Sequence, residues 1–276
     1  MSVPLASCVM VTGGDRKPFV EQSIRLFQRQ TYAHRELVIV SDQPLCAWNA
    51  GSEAQASVRH VAVPEGLSIG AKRNLGCHFA RGELLVMWDD DDWCAADRLA
   101  TQLAPLLGGS SALSAIGNSP VFELAAWRFW RMDETLFQRM FLANVFSGTL
   151  AFAKQLWKHG RRFPDTSLGE DAGFLAAALQ SGATLAPISG EGRFAYVRHG
   201  GNTWSFRCGE HQDASLWHAS SPTLPEEDCG FYQAMRDRAH ELERESHPSV
   251  PARWTGRASI AGDPCEARWT GRASIA

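Results

Sequence analysis

An apolar run, Glu83–Trp88 (ELLVMW), is followed without a break by four aspartates, Asp89, Asp90, Asp91 and Asp92. A buried strand cannot continue into four adjacent carboxylates, because like charges repel and an unpaired buried carboxylate is very costly. The strand therefore ends near Trp88, at the carboxyl edge of a sheet, where something must offset the charge. A divalent cation and a helix N-terminus are the natural partners, and hard carboxylate oxygens suit Mg2+ or Mn2+. The plainer alternative is a solvated acidic turn, with Asp92 capping a helix that begins near Trp93.

Upstream, short β-branched runs alternate with helical stretches. Ser7–Thr12, Leu37–Ser41 and Val58–Val63 read as strands, and Lys17–Gln30 and Ser68–Ala80 as helices. Such alternation builds βαβ units on a mostly parallel sheet flanked by helices, with ligands beyond the carboxyl ends of the strands. Downstream, 106–122 reads as a Gly/Ser-rich loop leading to an edge strand, Asp133–Phe146 as a helix, and Gly148–Phe152 as a return to the sheet. Glu170–Gln180 reads as a helix closed by Gly182, and Glu226–Glu245 as a charged amphipathic helix. Residues 1–205 form one α/β unit, 206–247 a C-terminal helical extension, and 248–276 a tail in which ARWTGRASIA occurs twice. Two copies are too few for a solenoid, so the tail is expected to be disordered.

Composition narrows the partners. The formal net charge is -3 with no lysine- or arginine-rich block, which argues against a nucleic-acid partner. The seven cysteines include no CxxC pair, so free thiols in a reducing cytoplasm are expected rather than a zinc site or disulfide framework. The N-terminus lacks a charged leader, and no run of ~18 apolar residues occurs, so any membrane contact is peripheral.

WDDDDW after a β-run resembles the DxD region of family-2 glycosyltransferases, whose fold is GT-A, a Rossmann-like arrangement. Further segments match in order. SCVMVTGGDR resembles the opening strand, whose following loop holds the nucleotide, and LVIVSD the second strand with its terminal acid. GLSIGAKRNLGCHFARGE is similar to the helix leading into the DxD strand. SGTLAF followed by GED resembles the acceptor-side strand and base, and YVRHGGNTW a C-terminal element of bacterial members. Together these cover 5–205.

The resemblance implies roles. Thr12, Asp42, Arg73, Asp89, Asp90 and His199 would bind a nucleotide-diphosphate sugar, with Asp42 at the base or ribose and His199 at phosphate or metal. Asp89 and Asp91 would hold the cation, Asp91 directly; Asp90 in the variable middle position is an unusual acid, so the frame is open to a shift by one. Lys72 competes with Arg73 for the nucleotide, and Asn74 would anchor the helix; a solvated helix face is the alternative for the two basic residues. Asp171 would be the general base with Glu170 orienting the acceptor, although acids at a helix start are also favoured by the dipole alone. Among ten tryptophans, Trp93, Trp127, Trp130 and Trp204 are candidates to line the sugar or acceptor site, the last three on the acceptor side, with a place in the core as the alternative for each. The acceptor is open between a glycan, a lipid-linked saccharide and a protein. The competing classes are a sugar-1-phosphate nucleotidyltransferase, because VTGGDRKP loosely resembles its nucleotide loop, and a non-catalytic nucleotide- or carbohydrate-binding relative.

Overall fold

The chain's computed structural model describes residues 3–14, 16–43, 57–221 and 224–246. Strands β1 (Ala6–Thr12), β2 (Arg35–Ser41), β3 (Val58–Ala62) and β4 (Leu84–Met87) lie parallel, in the spatial order β4-β1-β2-β3. Beyond β4, β9 (Phe146–Ala153) runs antiparallel and separates it from β6 (Leu113–Ile116) and β10 (Leu185–Ile188), completing a seven-stranded sheet.

Every residue of β1 is buried, which is why its Cys8–Val11 stretch is continuously apolar rather than alternating. Successive side chains point to opposite faces. Cys8, Met10, Leu37 and Ile39 pack with Phe19, Ile24 and Phe27 of α1 (Lys17–Gln28) and Leu99 and Leu103 of α3 (Arg98–Leu107). Val9, Val38 and Met87 pack on the other face with Cys77 of α2 (Ile69–Phe79) and Phe174, Leu175 and Ala178 of α6 (Glu170–Gln180). Gly76 lets α2 approach the sheet closely, since a Cβ there would lie 2.3 Å from Val9 Cγ1.

A second sheet of five strands sits beside the first, ordered β12-β8-β7-β11-β5. Its members are β5 (Trp93–Cys94), β7 (Val121–Glu123), β8 (Arg128–Met132), β11 (Phe194–Arg198) and β12 (Trp217–Ser220). The remaining helices are α4 (Glu134–Met140), α5 (Lys154–Lys158) and α7 (Glu226–Ser246).

Four sequence expectations are corrected. The helix read over Asp133–Phe146 stops at Met140, and after a short turn Phe146 begins β9, where it pairs with Ile116. Helical apolar spacing persists there because Phe137, Phe141 and Phe146 form one aromatic cluster, which a strand entering the core satisfies as well as a helix. Within the supposed loop 106–122, Leu113–Ile116 is an interior strand whose buried Ser114 hydroxyl donates to the Gln102 carbonyl at 2.6 Å. Trp93 opens a strand rather than a helix. The segment after 205 is not helical throughout, because Trp217–Ser220 pairs with β8 before α7 begins. Gly182 does adopt the left-handed conformation just beyond α6, with φ +83. The expected disordered tail, 248–276, lies outside the described residues. No helix among the described residues is long and apolar enough to cross a membrane.

Candidate active site

The end of β4 sends its aspartates in four directions, each fixed by a different element. Asp89 accepts a hydrogen bond from Arg73 Nη2 on α2 at 3.0 Å. Its other oxygen faces Gly148 of β9, where a Cβ would lie 2.7 Å from Asp89 Oδ2 and 3.6 Å from Asp171 Oδ2. The two carboxylates thus converge over a glycine, a place where a side chain would fill the gap between them. Burial raises the Asp89 carboxyl above its usual range, Arg73 draws it down, and Asp91 and Asp171 push it up again.

Asp90 turns to the opening strand. Thr12 Oγ1 donates to it at 2.6 Å, and Arg16 lies 3.1 Å from its second oxygen. Burial, and then the neighbouring Asp91, push this carboxyl up to about 7. Asp91 behaves oppositely: burial alone would raise it, but bonds from His199 and Arg16 and their charges hold it below the ordinary carboxylate value. Its Oδ2 accepts from Arg16, from Asn202 Nδ2 at 3.2 Å, and lies 3.0 Å from His199 Nε2. The Gly201 amide donates to His199 Nδ1 at 3.3 Å, and Arg16 Nη2 lies 3.1 Å from His199 Nε2.

Asp92 is not a helix cap. Its Oδ1 accepts from the Val197 amide at 2.9 Å and so ties the aspartate run to β11. Burial first, then Asp91 and Asp89, raise it well above the usual range, and its bond to β11 makes it a structural link.

Lys72 and Arg73 are buried rather than solvated. Lys72 Nζ reaches Asp42 Oδ2 at 2.6 Å and the Thr12 carbonyl at 3.1 Å, at the side of the site formed by β1 and β2. Arg73 points the other way and bridges Asp89 to Glu170, whose Oε1 is 3.1 Å from Nε. Burial lowers the Arg73 guanidinium's affinity for its proton, but Asp89 and Glu170 outweigh this and raise it above the usual value. Glu170 is itself raised by burial, with Arg73 opposing. Asn74 anchors α2, bonding the backbone of Phe163 in both directions and accepting from Trp157 Nε1. Gly169, with φ +75, makes the left-handed turn that starts α6 and brings Asp171 to Asp89.

Three buried polar atoms in this region have no hydrogen-bond partner among the described residues: Arg16 Nε, Arg73 Nη1 and Asp42 Oδ1. Unsatisfied buried donors beside carboxylates suit an anionic, polar ligand. Among the described residues, no three His, Cys, Asp or Glu side chains are arranged as a metal cluster; Arg16 occupies the Asp90–Asp91 side instead.

The tryptophans are distributed differently. Trp204 lies in the segment after His199, where its carbonyl accepts from Arg198 Nη1 at 2.6 Å and its ring packs on Phe141 and Phe206. Trp127, with φ 51, lies under Arg236 and against Phe122. Trp130 Nε1 donates to Glu123, and its ring meets Trp217 edge-on. Neither has a contact with the aspartates among those resolved. Trp93 donates to Asp228 at 2.6 Å and belongs to the core.

Sequence reading missed Arg16, Asn202 and Gly148. Arg16 was visible only as the end of GGDR, and Asn202 only as part of HGGN; neither neighbourhood reveals that both converge on Asp91, far away in sequence.

Residues 7–170 match glycosyl transferase family 2, more than half of the chain. S. aureus TarS 1-349 in complex with UDP-GlcNAc superposes with TM-score 0.56 at 15% identity, over 88% of this chain and 74% of that one. The same fragment in complex with UDP gives 0.53 at 17% identity, over 70% of this chain and 60% of that one. A mannosyltransferase, PcManGT from Pyrobaculum calidifontis, in complex with GDP-Man and Mn2+, gives 0.51 at 16% identity, over 71% and 56%. In the last two pairings the chain spans less than two thirds of its neighbour's length. No curated protein sequence matches the chain. The neighbours share the GT-A fold, and the family match runs from the opening strand to the first residue of α6; the chain belongs to glycosyl transferase family 2.

Proposed function

We propose that the chain is an inverting glycosyltransferase that moves a sugar from a nucleotide-diphosphate sugar to an acceptor hydroxyl, in bacterial surface glycan or glycoconjugate synthesis. The observation that carries this reading is the convergence of Asp89 and Asp171 over Gly148. It sets a donor-side carboxylate and a candidate base on opposite walls of one gap.

Asp42, Lys72 and Thr12 take the nucleoside end, and Arg16, Arg73 and His199 the diphosphate, where the unpartnered Arg16 Nε and Arg73 Nη1 find acceptors. Asp90, held by Thr12, supports the donor side. A divalent cation, Mn2+ or Mg2+, fits the residues present. Asp89 and Asp91 offer hard oxygens, and the acids Asp42, Asp89, Asp90, Asp91, Glu170 and Asp171 outnumber the cationic Arg16, Lys72 and Arg73 paired with them. When bound there, the cation supplies charge stabilisation to the departing nucleoside diphosphate.

In the transfer, Asp171 accepts the acceptor's proton as its oxygen bonds to the anomeric carbon. The bond from that carbon to the phosphate oxygen breaks, and its electron pair leaves with the nucleoside diphosphate. Glu170, clamped by Arg73, holds the start of α6 and thereby Asp171. Of the acceptor-side tryptophans, Trp204 has its carbonyl on Arg198, the neighbour of His199, while Trp130 lies on β8 and Trp127 in the turn before it. A glycan, lipid-linked or protein acceptor is approached from the cytoplasm, with at most peripheral membrane contact.

Chromatography of products tests the reading. With a panel of sugar nucleotides and Mn2+, turnover should release free nucleoside diphosphate. Pyrophosphate would mean nucleotidyl transfer, and tight binding without turnover would mean a non-catalytic relative.

A further inference from the structure

The family match ends at residue 170, yet His199, whose ring bonds Asp91, lies beyond it. What holds that ring comes from two helices. Phe19 of α1 is buried, and its ring centroid lies 4.5 Å from that of His199 with 30° between the planes. Phe231 of α7 meets Phe19 edge-on at 5.8 Å and 82°. Behind Phe231, Tyr232 is buried against Phe122 of the second sheet.

The N-terminal part of α7 is fixed in place by a charge. Asp228, 4% exposed, accepts two bonds from Arg29 Nη2 at 2.9 and 2.8 Å and one from Trp93 Nε1 at 2.6 Å. Trp93 directly follows the aspartate run, so the same short segment carries the donor-side acids and the anchor of α7. A side chain with two rotatable bonds keeps its Nε2 on Asp91 only if its ring plane is fixed. The Gly201 amide on Nδ1 constrains one edge of the ring, Asn202 Oδ1 holds the His199 backbone amide, and the Phe19 face constrains the plane. An aromatic pair of this kind adds stabilisation beyond the area it buries.

We propose that Phe19, backed by Phe231, is a positioning residue for the donor site, and that α7 is thereby part of that site. The inference rests on the reading of His199 as a diphosphate- or cation-side residue. Loss of the backing ring in Phe231→Ala lets Phe19 and then His199 turn, so that donor affinity falls while the anchor at Asp228 keeps α7 docked. Phe231→Tyr retains the ring and retains the affinity. Phe19→Leu keeps apolar volume but not the ring, and has the larger effect.

The test uses the full chain. Side-chain 1H–15N correlation spectra of the histidines report the protonated nitrogen and surroundings of His199, identified by its absence in His199→Ala. Calorimetry with UDP and GDP in the presence of Mn2+ reports affinity. Phe231→Ala should shift the His199 resonances and weaken nucleotide binding about three- to tenfold, scaled from the worth of an aromatic pair. Phe231→Tyr should match wild type in both. If wild type binds neither nucleotide, or His199→Ala binds as well as wild type, the reading of His199 fails and the inference with it. If His199→Ala loses affinity while Phe231→Ala and Phe19→Leu keep wild-type affinity and resonances, whatever their melting temperatures, the donor-site reading stands and the positioning role is overturned.

Discussion

Asp171→Asn is expected to lose on the order of 10²–10⁴-fold in transfer rate, the usual contribution of a general base. Its carboxylate lies across Gly148 from Asp89, and its Oδ1 accepts from the adjacent Ala172 amide. The amide variant keeps shape and removes the proton acceptor, so the loss falls in the transition state. Nucleotide affinity should remain near wild type, because Asp171 has no bond to Arg16, Arg73 or His199. Rates of nucleoside diphosphate release, measured beside calorimetric affinity, check this split. Near wild-type transfer would reduce Asp171 to a helix-start charge and move the search to Glu170.

Asp91→Asn should lose binding and turnover together. Asp91 Oδ2 gathers Arg16, Asn202 and His199, and within the aspartate run it is the carboxyl held below the ordinary range. An asparagine there removes the negative ligand from a hard cation, and it leaves Arg16 with Asp90 alone. Removing one partner of a buried, hydrogen-bonded charge pair at a binding site typically costs about 2–5 kcal/mol. We therefore expect about a hundredfold loss in donor affinity, from the lower half of that range, with about 1.4 kcal/mol per factor of ten. The two variants separate cleanly: one loses rate at constant affinity, the other loses both.

Much of this site was legible in sequence where it depends on local rules. An apolar run that stops at consecutive acids declares a strand end, and a continuous SCVMVT declares a strand buried on both faces. The helix from Ser68 was visible too, and its cap is Ser68 itself, accepting from the Ala71 amide. Partner choice was not legible. Lys72 and Arg73 are neighbours on one helix, yet one bonds Asp42 and the other Asp89 and Glu170, and only the meeting of β1, β2, β4 and α6 decides which. Asp92 reads as a cap by position, but its Oδ1 accepts from the amide of Val197, more than a hundred residues on. Phe146 continues a helical apolar spacing and nevertheless joins β9, because tertiary pairing with Ile116 overrides local periodicity. His199 was singled out through resemblance; that its plane is set by Phe19 follows only from the packing of α1 against the segment after β11.

The central claim is that Asp89 and Asp91 form, with a divalent cation, the donor site of a glycosyl transfer. Titrating UDP and GDP into the metal-stripped wild-type chain, with and without Mn2+, tests it most directly. At least one nucleotide should bind with Mn2+ at least about tenfold more tightly than in EDTA, a difference of about 1.4 kcal/mol. Equal affinity with and without the cation would contradict the claim.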